Sequence, residues 1–474
     1  DGTKKFETIS TGVVITGSDD GDGGAKGDFK FFQTDGTLKA MFDASASAFE
    51  FLDNSKATFG NGDDLQIFHD GSGSHITESG TGLLDIDTNT FRVRNTAGSE
   101  NQITAEANGA VQLYYDNSIK LATTNTGTVT TGIATATEFV PTVGQLSHRN
   151  LIINGAMQVC QRYSLASMNN ISNNTHTYHT DRFKGYNGNG GILGLEWQEN
   201  YPEGYHYSLR IKCVTADTSV DGLTFISHVI EDKNIQHLNY GLSYAKSCTL
   251  SFWIKSNLTG TYSVGLINDT QGSRGFVAEY TISAANTWEK KTITVPGDTS
   301  GTWNAGGLRV HWALAIQSDR RTSTLNSWHT TSSVQYCSTN QPNFMSSTNN
   351  YMNLTGVQFE VGSATPYEHV SYGDELARCQ RYYQDINPRA TGWIVSATQV
   401  RFSVDWVTQM RANPTCTLGG SFVQYGPGGQ QTGTLQGFGD ISVNGCIPIL
   451  NTSGGMTTNA PATGGISMTA DAEL

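Results

Sequence analysis

Short runs in which apolar and polar residues alternate, separated by Gly, Asn and Asp, occupy residues 1 to about 140. In the clearest run, Phe91 and Val93 fall on one face and Arg92 and Arg94 on the other, which is the two-residue period of a β-strand. The other runs predict further strands, among them Phe29–Gln33, Leu65–His69, Leu83–Asp87 and Val111–Tyr115. Three of the intervening dipeptides are strong hairpin turns: Asp35-Gly36, Asp70-Gly71 and Asn108-Gly109.

The same region contains an internal repeat. Asp1–Gly17 aligns with Asp116–Gly132, and Phe51–Thr58 aligns in part with the segment that starts at Tyr114. Each copy is polar and has too little apolar surface for a core of its own, so it becomes stable only when it stacks on neighbours or wraps with other chains. No heptad stripe is present, which argues against a coiled-coil stalk. The pattern predicts a repetitive β shaft over residues 1–140.

A polar junction with Pro141 and Gly144 follows the shaft, and we interpret residues 141–150 as a linker. Beyond it the alternating runs become longer and more apolar. One strand face carries Leu308, Val310, Trp312, Leu314 and Ile316. About eight such strands, joined by long loops, predict a jelly-roll β-sandwich over residues 151–369.

One helix is expected after the sandwich. Ser371 offers an N-cap with Asp374 three residues later, and Leu376 and Cys379 fall at helical spacing. Further strands follow, separated by two Gly-rich segments that we interpret as loops, Gln424–Gly437 and Asn451–Gly465. Residues 370–474 are therefore expected to form this helix and a small C-terminal β-sandwich tip, and the fold class is all-β.

Composition agrees with an all-β protein of 474 residues. Only 37% of the residues are hydrophobic, and 53 glycines stand against 10 prolines, which is typical of many short strands and turns. The net charge is −13, and residues 1–149 carry most of the acidic excess. A negative shaft repels nucleic acid and anionic lipid, so we expect neither nucleic-acid binding nor membrane insertion.

The seven cysteines are widely spread and include no CxxC pair, which predicts buried free thiols rather than disulfides or a zinc site. No apolar run approaches the roughly 18 residues that span a bilayer, and no signal peptide opens the sequence. The chain begins inside a repeat and without Met, so further sequence is expected upstream.

Several segments resemble the tail fibres of marine, cyanobacterial-type tailed bacteriophages. Gly60–Ser72 resembles their repetitive shaft motif, and Asn150–Arg162 resembles the opening of their head domain. The most specific marker is the closing strand and helix, Thr355–His369 with Glu375–Tyr383. Gln409–Thr415 fits their tip domain.

This resemblance implies a homotrimeric fibre with a carbohydrate-binding-module-like β-sandwich. The N-terminal side would join phage tail or adaptor proteins, and the C-terminal side would meet a host surface glycan or lipopolysaccharide. The expected location is the distal part of the phage tail in the virion, after synthesis in the host cytoplasm.

Sugar recognition needs flat aromatic faces beside polar side chains that order the hydroxyl groups. Two regions offer such residues in polar, Gly- or Ser-rich surroundings. The candidate glycan contacts are Trp303, Asn304, Trp328 and His329 in the sandwich loops, and Trp393, Tyr425 and Gln430 in the tip.

The case for metals and cofactors is weak. The aspartate cluster Ser18–Gly24 superficially resembles a calcium loop, but Lys30 stands where an EF-hand places its bidentate acid, which favours a solvated turn. His69 beside Asp70 could repeat around a three-fold axis, although an isolated surface histidine is the commoner case. No cofactor is expected, and a structural Ca²⁺ in the sandwich stays open.

Two alternative functions compete with simple attachment. A glycan-cleaving tail spike needs two carboxylates roughly 5–10 Å apart, for which Asp181, Glu196, Glu199 and Glu203 are candidates with no fixed geometry. No GxSxG elbow or phosphate-binding loop is present, and a non-enzymatic protein is expected. A secreted bacterial adhesin with a carbohydrate-binding module is the other alternative.

Overall fold

The computed structural model describes residues 6–9, 12–15, 29–43, 46–134, 147–172, 174–268, 274–303, 306–330, 334–386, 389–419, 422–427 and 429–474. It divides into two compact units, Asp1–Glu138 and Phe139–Leu474. Both units are built almost entirely of antiparallel β-strands, as the alternating pattern predicts.

The described part of the first unit contains four separate sheets. In each of them, strands that follow one another in sequence pair as hairpins, with hydrogen-bonded orders β1-β2, β3-β4-β5, β6-β7-β8 and β9-β10-β11-β12-β13. Their bounds are β1 (Phe6–Ile9), β2 (Gly12–Ile15), β3 (Phe29–Phe32), β4 (Leu38–Asp43), β5 (Ala48–Phe51), β6 (Lys56–Phe59), β7 (Leu65–His69), β8 (Ser74–Glu78), β9 (Thr90–Arg94), β10 (Asn101–Glu106), β11 (Val111–Tyr115), β12 (Ser118–Thr124) and β13 (Gly127–Thr130).

The internal repeat has a structural counterpart. Ile9 pairs with Gly12 at the end of the β1–β2 hairpin, and the aligned residues Thr124 and Gly127 pair in the same way at the end of the β12–β13 hairpin. The sequence repeat is therefore a repeated hairpin with one register. The Ser18–Gly24 cluster lies outside the described residues, and its interpretation as a solvated turn stays a prediction.

The first unit has almost no hydrophobic interior. Among its described side chains, Ala40 is the only hydrophobic one that is buried. Phenylalanine rings instead meet edge to face on the surface of the β3–β5 sheet, where Phe31 is 44% and Phe49 is 52% exposed. Hairpins of this size do not pack stably in water without further apolar cover.

One strand prediction in this unit is wrong. Residues 83–87 belong to no ladder that the structure describes, although Leu84 and Ile86 alternate with Asp85 and Asp87 as in a strand. Their side chains are exposed, Leu83 by 83%. Alternation shows which faces a strand could have, but a strand also needs a neighbour, which this segment lacks among the described residues.

The second unit begins with a β-sandwich, as predicted. One sheet has the strand order β14-β17-β18-β28-β20-β23 and the other has β15-β16-β19-β24-β21-β22-β26, while β25 and β27 form a short parallel ladder. The bounds are β14 (Met168–Ile171), β15 (Thr175–Tyr178), β16 (Phe183–Asn187), β17 (Ile192–Gln198), β18 (Ser208–Thr215), β19 (Leu223–Ile230), β20 (Cys248–Ser256), β21 (Gly260–Asn268), β22 (Arg274–Ile282), β23 (Glu289–Val295), β24 (Leu308–Ile316), β25 (Arg321–Thr322), β26 (Trp328–Thr330), β27 (Cys337–Ser338) and β28 (Tyr351–Val361).

The inner faces of the two sheets share one core. Phe252 on β20 packs edge to face on Trp312 of β24, with ring centroids 5.6 Å apart. Phe183 on β16 lies 6.4 Å from the same indole. All three rings are fully buried, so the alternation over Leu308–Ile316 also placed the apolar face of β24 correctly.

Two short helices lie beside the sandwich, α1 (Asp232–Ile235) and α2 (Tyr372–Gln380). The predicted helix and its cap are confirmed in α2, because Ser371 Oγ accepts the Asp374 backbone N–H at 3.3 Å. The same hydroxyl donates to the Asp374 carboxylate at 2.6 Å. Glu375 in the first turn is buried and accepts the backbone N–H of Asn154, which fixes the helix against the start of the sandwich.

The C-terminal strands form a closed barrel instead of the predicted β-sandwich tip. The barrel order is β30-β31-β35-β34-β33-β36, closed because β36 pairs with both β30 and β33, and a separate three-stranded sheet has the order β29-β37-β32. The bounds are β29 (Tyr383–Ile386), β30 (Arg389–Ser396), β31 (Gln399–Asp405), β32 (Thr415–Leu418), β33 (Phe422–Gly426), β34 (Gly429–Gly439), β35 (Gly445–Thr452), β36 (Pro461–Gly465) and β37 (Met468–Asp471).

The two Gly-rich segments expected to be loops therefore contain strands β33, β34 and β36. Their glycines allow close strand approach rather than flexible turns. A Cβ on Gly464 would lie 3.0 Å from the carbonyl oxygen of Val423, and one on Gly426 would lie 3.3 Å from that of Pro461. Because these glycines were interpreted as turn residues, the strands that close the barrel were not predicted.

A buried ionic cluster, formed by Arg162, Asp181, Arg182 and Glu473, joins the sandwich to the last strands. Arg182 donates to the Glu473 carboxylate and, at 2.6 Å, to the carbonyl oxygen of Val229. Arg162 lies 3.4 Å from the other oxygen of Glu473 and 3.7 Å from Asp181. Each guanidinium also covers a tyrosine ring at 3.6 Å, Tyr382 for Arg182 and Tyr383 for Arg162.

Three buried histidines predict that acid destabilises the second unit. Burial lowers the pKa of His179 to about 4 and that of His311 to about 3, and holds the pKa of His228 well below 6.5. At pH values between these pKa values and 6.5, the ordinary pKa of histidine, the unfolded chain binds protons that the folded chain does not bind. The free energy of unfolding therefore falls as the pH drops below 6.5. At pH 5.5 each histidine contributes a loss of about 1.4 kcal/mol.

Urea denaturation at pH 7.5 and pH 5.5 measures this loss. In the His311→Gln variant the amide can still donate to the carbonyl oxygen of Tyr336, which His311 Nε2 contacts at 2.7 Å. The drop in unfolding free energy between the two pH values should then be smaller by about 1.4 kcal/mol. The other titrating groups are the same in both proteins, so their contributions cancel in the comparison. An identical drop in both proteins would contradict the lowered pKa of His311.

Candidate functional site

Exposed and buried residues alternate strictly along β36, and this alternation identifies the outer face of the barrel. Along β36, Pro461, Thr463 and Gly465 are exposed while Ala462 and Gly464 are buried. Residues paired across antiparallel strands point to the same face. The register of β36 with its two neighbours therefore identifies which side chains share the outer surface.

Two of the predicted residues flank β36 on this surface. Trp393 on β30 pairs with Pro461, and Tyr425 on β33 pairs with Thr463. Their side chains are 50% and 56% exposed, respectively. Two strand spacings across and two residues along put their Cα atoms on the order of 10–12 Å apart.

Polar side chains extend the surface on both sides. Arg401 on β31 pairs with Trp393, and Gln430 on β34 pairs with Tyr425. Both are exposed. We call the set of Arg401, Trp393, Pro461, Thr463, Tyr425 and Gln430 the barrel face.

The barrel face has the chemistry that sugars require. An indole or phenol ring can cover the C–H side of a pyranose, and amide, hydroxyl and guanidinium groups beside it can hydrogen-bond to the sugar hydroxyls. The separation of the two Cα atoms, on the order of 10–12 Å, exceeds the length of one sugar residue. A short oligosaccharide lying across β36 would therefore meet both Trp393 and Tyr425.

The sandwich brings together two other predicted residues, Trp303 and Trp328. Their rings meet edge to face with centroids 5.4 Å apart, and both contact Tyr240. The Trp303 indole N–H donates to Asp298 at 3.1 Å, and that of Trp328 donates to the carbonyl oxygen of Pro296 at 2.6 Å. Both indoles are half-buried and pack on the core, so less of each ring can reach a ligand.

The surroundings of this pair reinforce its internal role. Arg274 forms a two-pronged ion pair with the fully buried Asp298, with Nε 2.9 Å from Oδ2. Arg274 also donates to Thr330 at 2.7 Å. His329, half-buried on β26, has a pKa lowered by burial. Asn304 lies outside the described residues, so its predicted role stays a prediction.

The sequence analysis missed three residues of the barrel face, Arg401, Pro461 and Thr463. The run Val400, Phe402, Val404 is strictly alternating and buried, so it could have placed Arg401 outward. Thr463 carried no such signal, because its strand lies inside a Gly-rich segment interpreted as a loop. The barrel face depends on pairings across the barrel that no local pattern reveals.

Two of the carboxylates considered for glycan cleavage, those of Asp181 and Glu196, are engaged by neighbouring groups of the sandwich. Asp181 is fully buried, and its carboxylate accepts the backbone N–H of Gln161 at 2.9 Å. Burial raises the pKa of Asp181. Glu196 lies 3.9 Å from Arg210 on the neighbouring strand.

Neither a metal cluster nor a membrane span is found among the residues that the structure describes. No three His, Cys, Asp or Glu side chains gather in a way that could hold an ion, and neither helix has the length and apolar character to cross a bilayer. All seven cysteines are free thiols, and five of them are buried.

Comparison with known proteins gives no family assignment. No protein-family model matches the chain, and no curated protein matches it. Solved structures give distant likenesses only. One is the enzymatically active domain of bacteriophage CBA120 tailspike protein 4, at 13% identity and a TM-score of 0.25, covering 45% of this chain and 21% of that chain.

Carbohydrate-binding modules also appear among the similar structures. The CBM22-2 xylan-binding domain of Paenibacillus barcinonensis Xyn10C is 14% identical with a TM-score of 0.22, covering 35% of this chain and 86% of that domain. A CBM4 structure is 12% identical with a TM-score of 0.23, covering 44% of this chain and 99% of its own. TM-scores this low carry no functional weight, and what the chain does has to be inferred from its own residues.

Proposed function

We propose that this protein is a host-binding fibre of a tailed bacteriophage and that the barrel face binds host surface carbohydrate. The observation that supports it most is the pair of exposed rings, Trp393 and Tyr425, set on one strand-paired surface with polar neighbours. Exposed aromatic residues that share a patch usually serve an interaction, whereas isolated ones do not.

Assembly into a homotrimer is part of the proposal. The described part of the first unit exposes phenylalanines and buries almost no hydrophobic side chain, and wrapping three copies together would give it an interior. Three barrel faces carried by one fibre would turn weak sugar contacts into stable attachment by avidity. Its N-terminal side would join tail or adaptor proteins of the virion.

Attachment without cleavage is the activity we propose. The fibre would hold the host polysaccharide or lipopolysaccharide and leave its glycosidic bonds intact. Release of reducing ends from host envelope polysaccharide by the purified protein would contradict this and favour a depolymerase.

Glycan-array binding of the full chain tests the barrel face. Trp393→Ala and Tyr425→Ala are each expected to weaken binding about tenfold, since a lost aromatic contact costs on the order of 1.4 kcal/mol. Tyr244→Ala is the matched control, because this tyrosine is also exposed but lies outside the barrel. Unchanged binding in both barrel variants would overturn the site, and no binding of any glycan would overturn the function.

A further inference from the structure

A second surface site of different chemistry lies beside the helices. A cavity of about 430 Å³ opens between α1, α2 and the residues that lead into the sandwich. That volume falls in the range of small-molecule sites in proteins. None of the barrel-face residues lines it.

The wall of this cavity is cationic. Lys233 of α1, Arg378 of α2 and Arg381 just after α2 all line it, together with His148 and His237. No carboxylate is among the described residues of the wall. Such a concentration of positive charge contrasts with the net charge of −13 for the whole chain.

Two carboxylates lie behind the wall and hold the arginines in place. Glu231 is 3.1 Å from Arg381, and Glu375 is 3.4 Å from Arg378. Both glutamates are buried, while each arginine side chain is about one third exposed. A guanidinium has five N–H donors, so these bonds leave others for a ligand in the cavity.

Lys233 adds a positive charge to the cavity wall. It takes part in none of the ion pairs found among the described residues, and it is exposed at the rim. Among the charged side chains of the wall and their ion-pair partners, three are cations and two are carboxylates, which leaves one cation of the wall without an ion-pair partner. Arginines fixed in advance bind planar or tetrahedral oxyanions well, because little side-chain freedom is lost on binding.

We propose that this cavity binds the anionic group of an acidic saccharide, either the carboxylate of a uronic acid or a phosphate ester on the sugar. Arg378 and Arg381 would contact the oxyanion, Lys233 would close the positive rim, and the Asn234 amide would hydrogen-bond to a sugar hydroxyl. The site adds charge recognition to the neutral stacking chemistry of the barrel face.

Isothermal titration calorimetry of the full chain tests the proposal with three probes: D-glucuronate, inorganic phosphate and D-glucose. At least one of the anions is expected to bind with saturation, and glucose is expected not to bind at this cavity. Binding of glucuronate alone indicates a uronic acid, and binding of phosphate alone indicates a phosphorylated sugar. If neither anion binds, the proposal is wrong.

Four variants complete the test. Lys233→Gln and Arg378→Gln should each weaken anion binding at least tenfold, while Lys290→Gln, an exposed lysine on β23, should leave it unchanged. Lys233 has no structural ion pair, so its variant stays informative if Arg378→Gln perturbs folding. Equal affinity in Lys233→Gln and wild type would overturn the proposal. Trp393→Ala should keep the anion affinity, which separates this site from the barrel face.

Discussion

Replacing Arg182 by methionine is expected to destabilise the second unit by about 3–5 kcal/mol, which is the usual cost of leaving one charge of a buried pair without its partner. The change leaves the buried Glu473 carboxylate without its closest cation and removes the bond to the carbonyl oxygen of Val229. It also uncovers the Tyr382 ring that the guanidinium covers at 3.6 Å.

Urea denaturation followed by tryptophan fluorescence measures the effect. Arg320→Met is the matched control, since Arg320 pairs with the exposed Asp319 at 3.6 Å on the surface. A surface pair of this kind is worth less than about 1 kcal/mol. Equal loss in the two variants would mean that the buried ionic cluster does not hold the unit together.

A double variant, Arg182→Met with Glu473→Gln, sharpens the test. The two residues are in direct contact, so their effects should not add. The double variant is expected to be less destabilised than the sum of the single variants, because neither charge is then left alone in the interior. Simple additivity would contradict a direct buried pair.

Replacing Phe31 and Phe49 by serine is expected to prevent assembly of the chain. Both rings are about half exposed in one copy and contact each other at 6.0 Å between centroids. If each buries its remaining surface in a trimer for about 1.5 kcal/mol, six side chains together contribute roughly 9 kcal/mol. That loss shifts the dissociation midpoint by several orders of magnitude in concentration.

Sedimentation velocity over a range of concentrations reports the shift. Val407→Ser is the control, because Val407 is an exposed apolar residue of the second unit. The control should sediment like the unchanged chain, while the double phenylalanine variant should sediment as single copies. Identical sedimentation of the two variants would show that the phenylalanine surface takes no part in association.

Much of the fold follows from local sequence. Hairpin turns such as Asn108-Gly109, the capping Ser371 and the two-residue period of Leu308–Ile316 each act over a few residues. The repeat between Asp1–Gly17 and Asp116–Gly132 carried even the hairpin register. In these places local preference and final structure agree, because the determining contacts are close in sequence.

The barrel could not be predicted for the opposite reason. Its closure depends on β36 pairing with β30 and β33, and other strands separate β36 from each of these in the sequence. Gly392 and Gly464 serve close packing, although glycine is equally typical of a turn. Tyr425 falls within a segment expected to be a loop, but it lies on strand β33.

The site residues could likewise be predicted only as far as local sequence determines them. Their aromatic side chains and polar surroundings in the sequence identified Trp393 and Tyr425 as candidates, but only the strand register placed them on one surface. The ionic cluster escaped notice because Arg182 and Glu473 lie far apart in the chain. Two segments that resemble phage tail fibres, Asn150–Arg162 and Glu375–Tyr383, contact each other where the backbone N–H of Asn154 donates to the Glu375 carboxylate.

Native mass spectrometry of the unmodified chain tests most directly whether the first unit obtains its interior from sister copies. We predict a species of three times 51.1 kDa at micromolar concentration, with no appreciable single copy. A single species of 51.1 kDa under the same conditions, with the first unit still melting cooperatively, would contradict it.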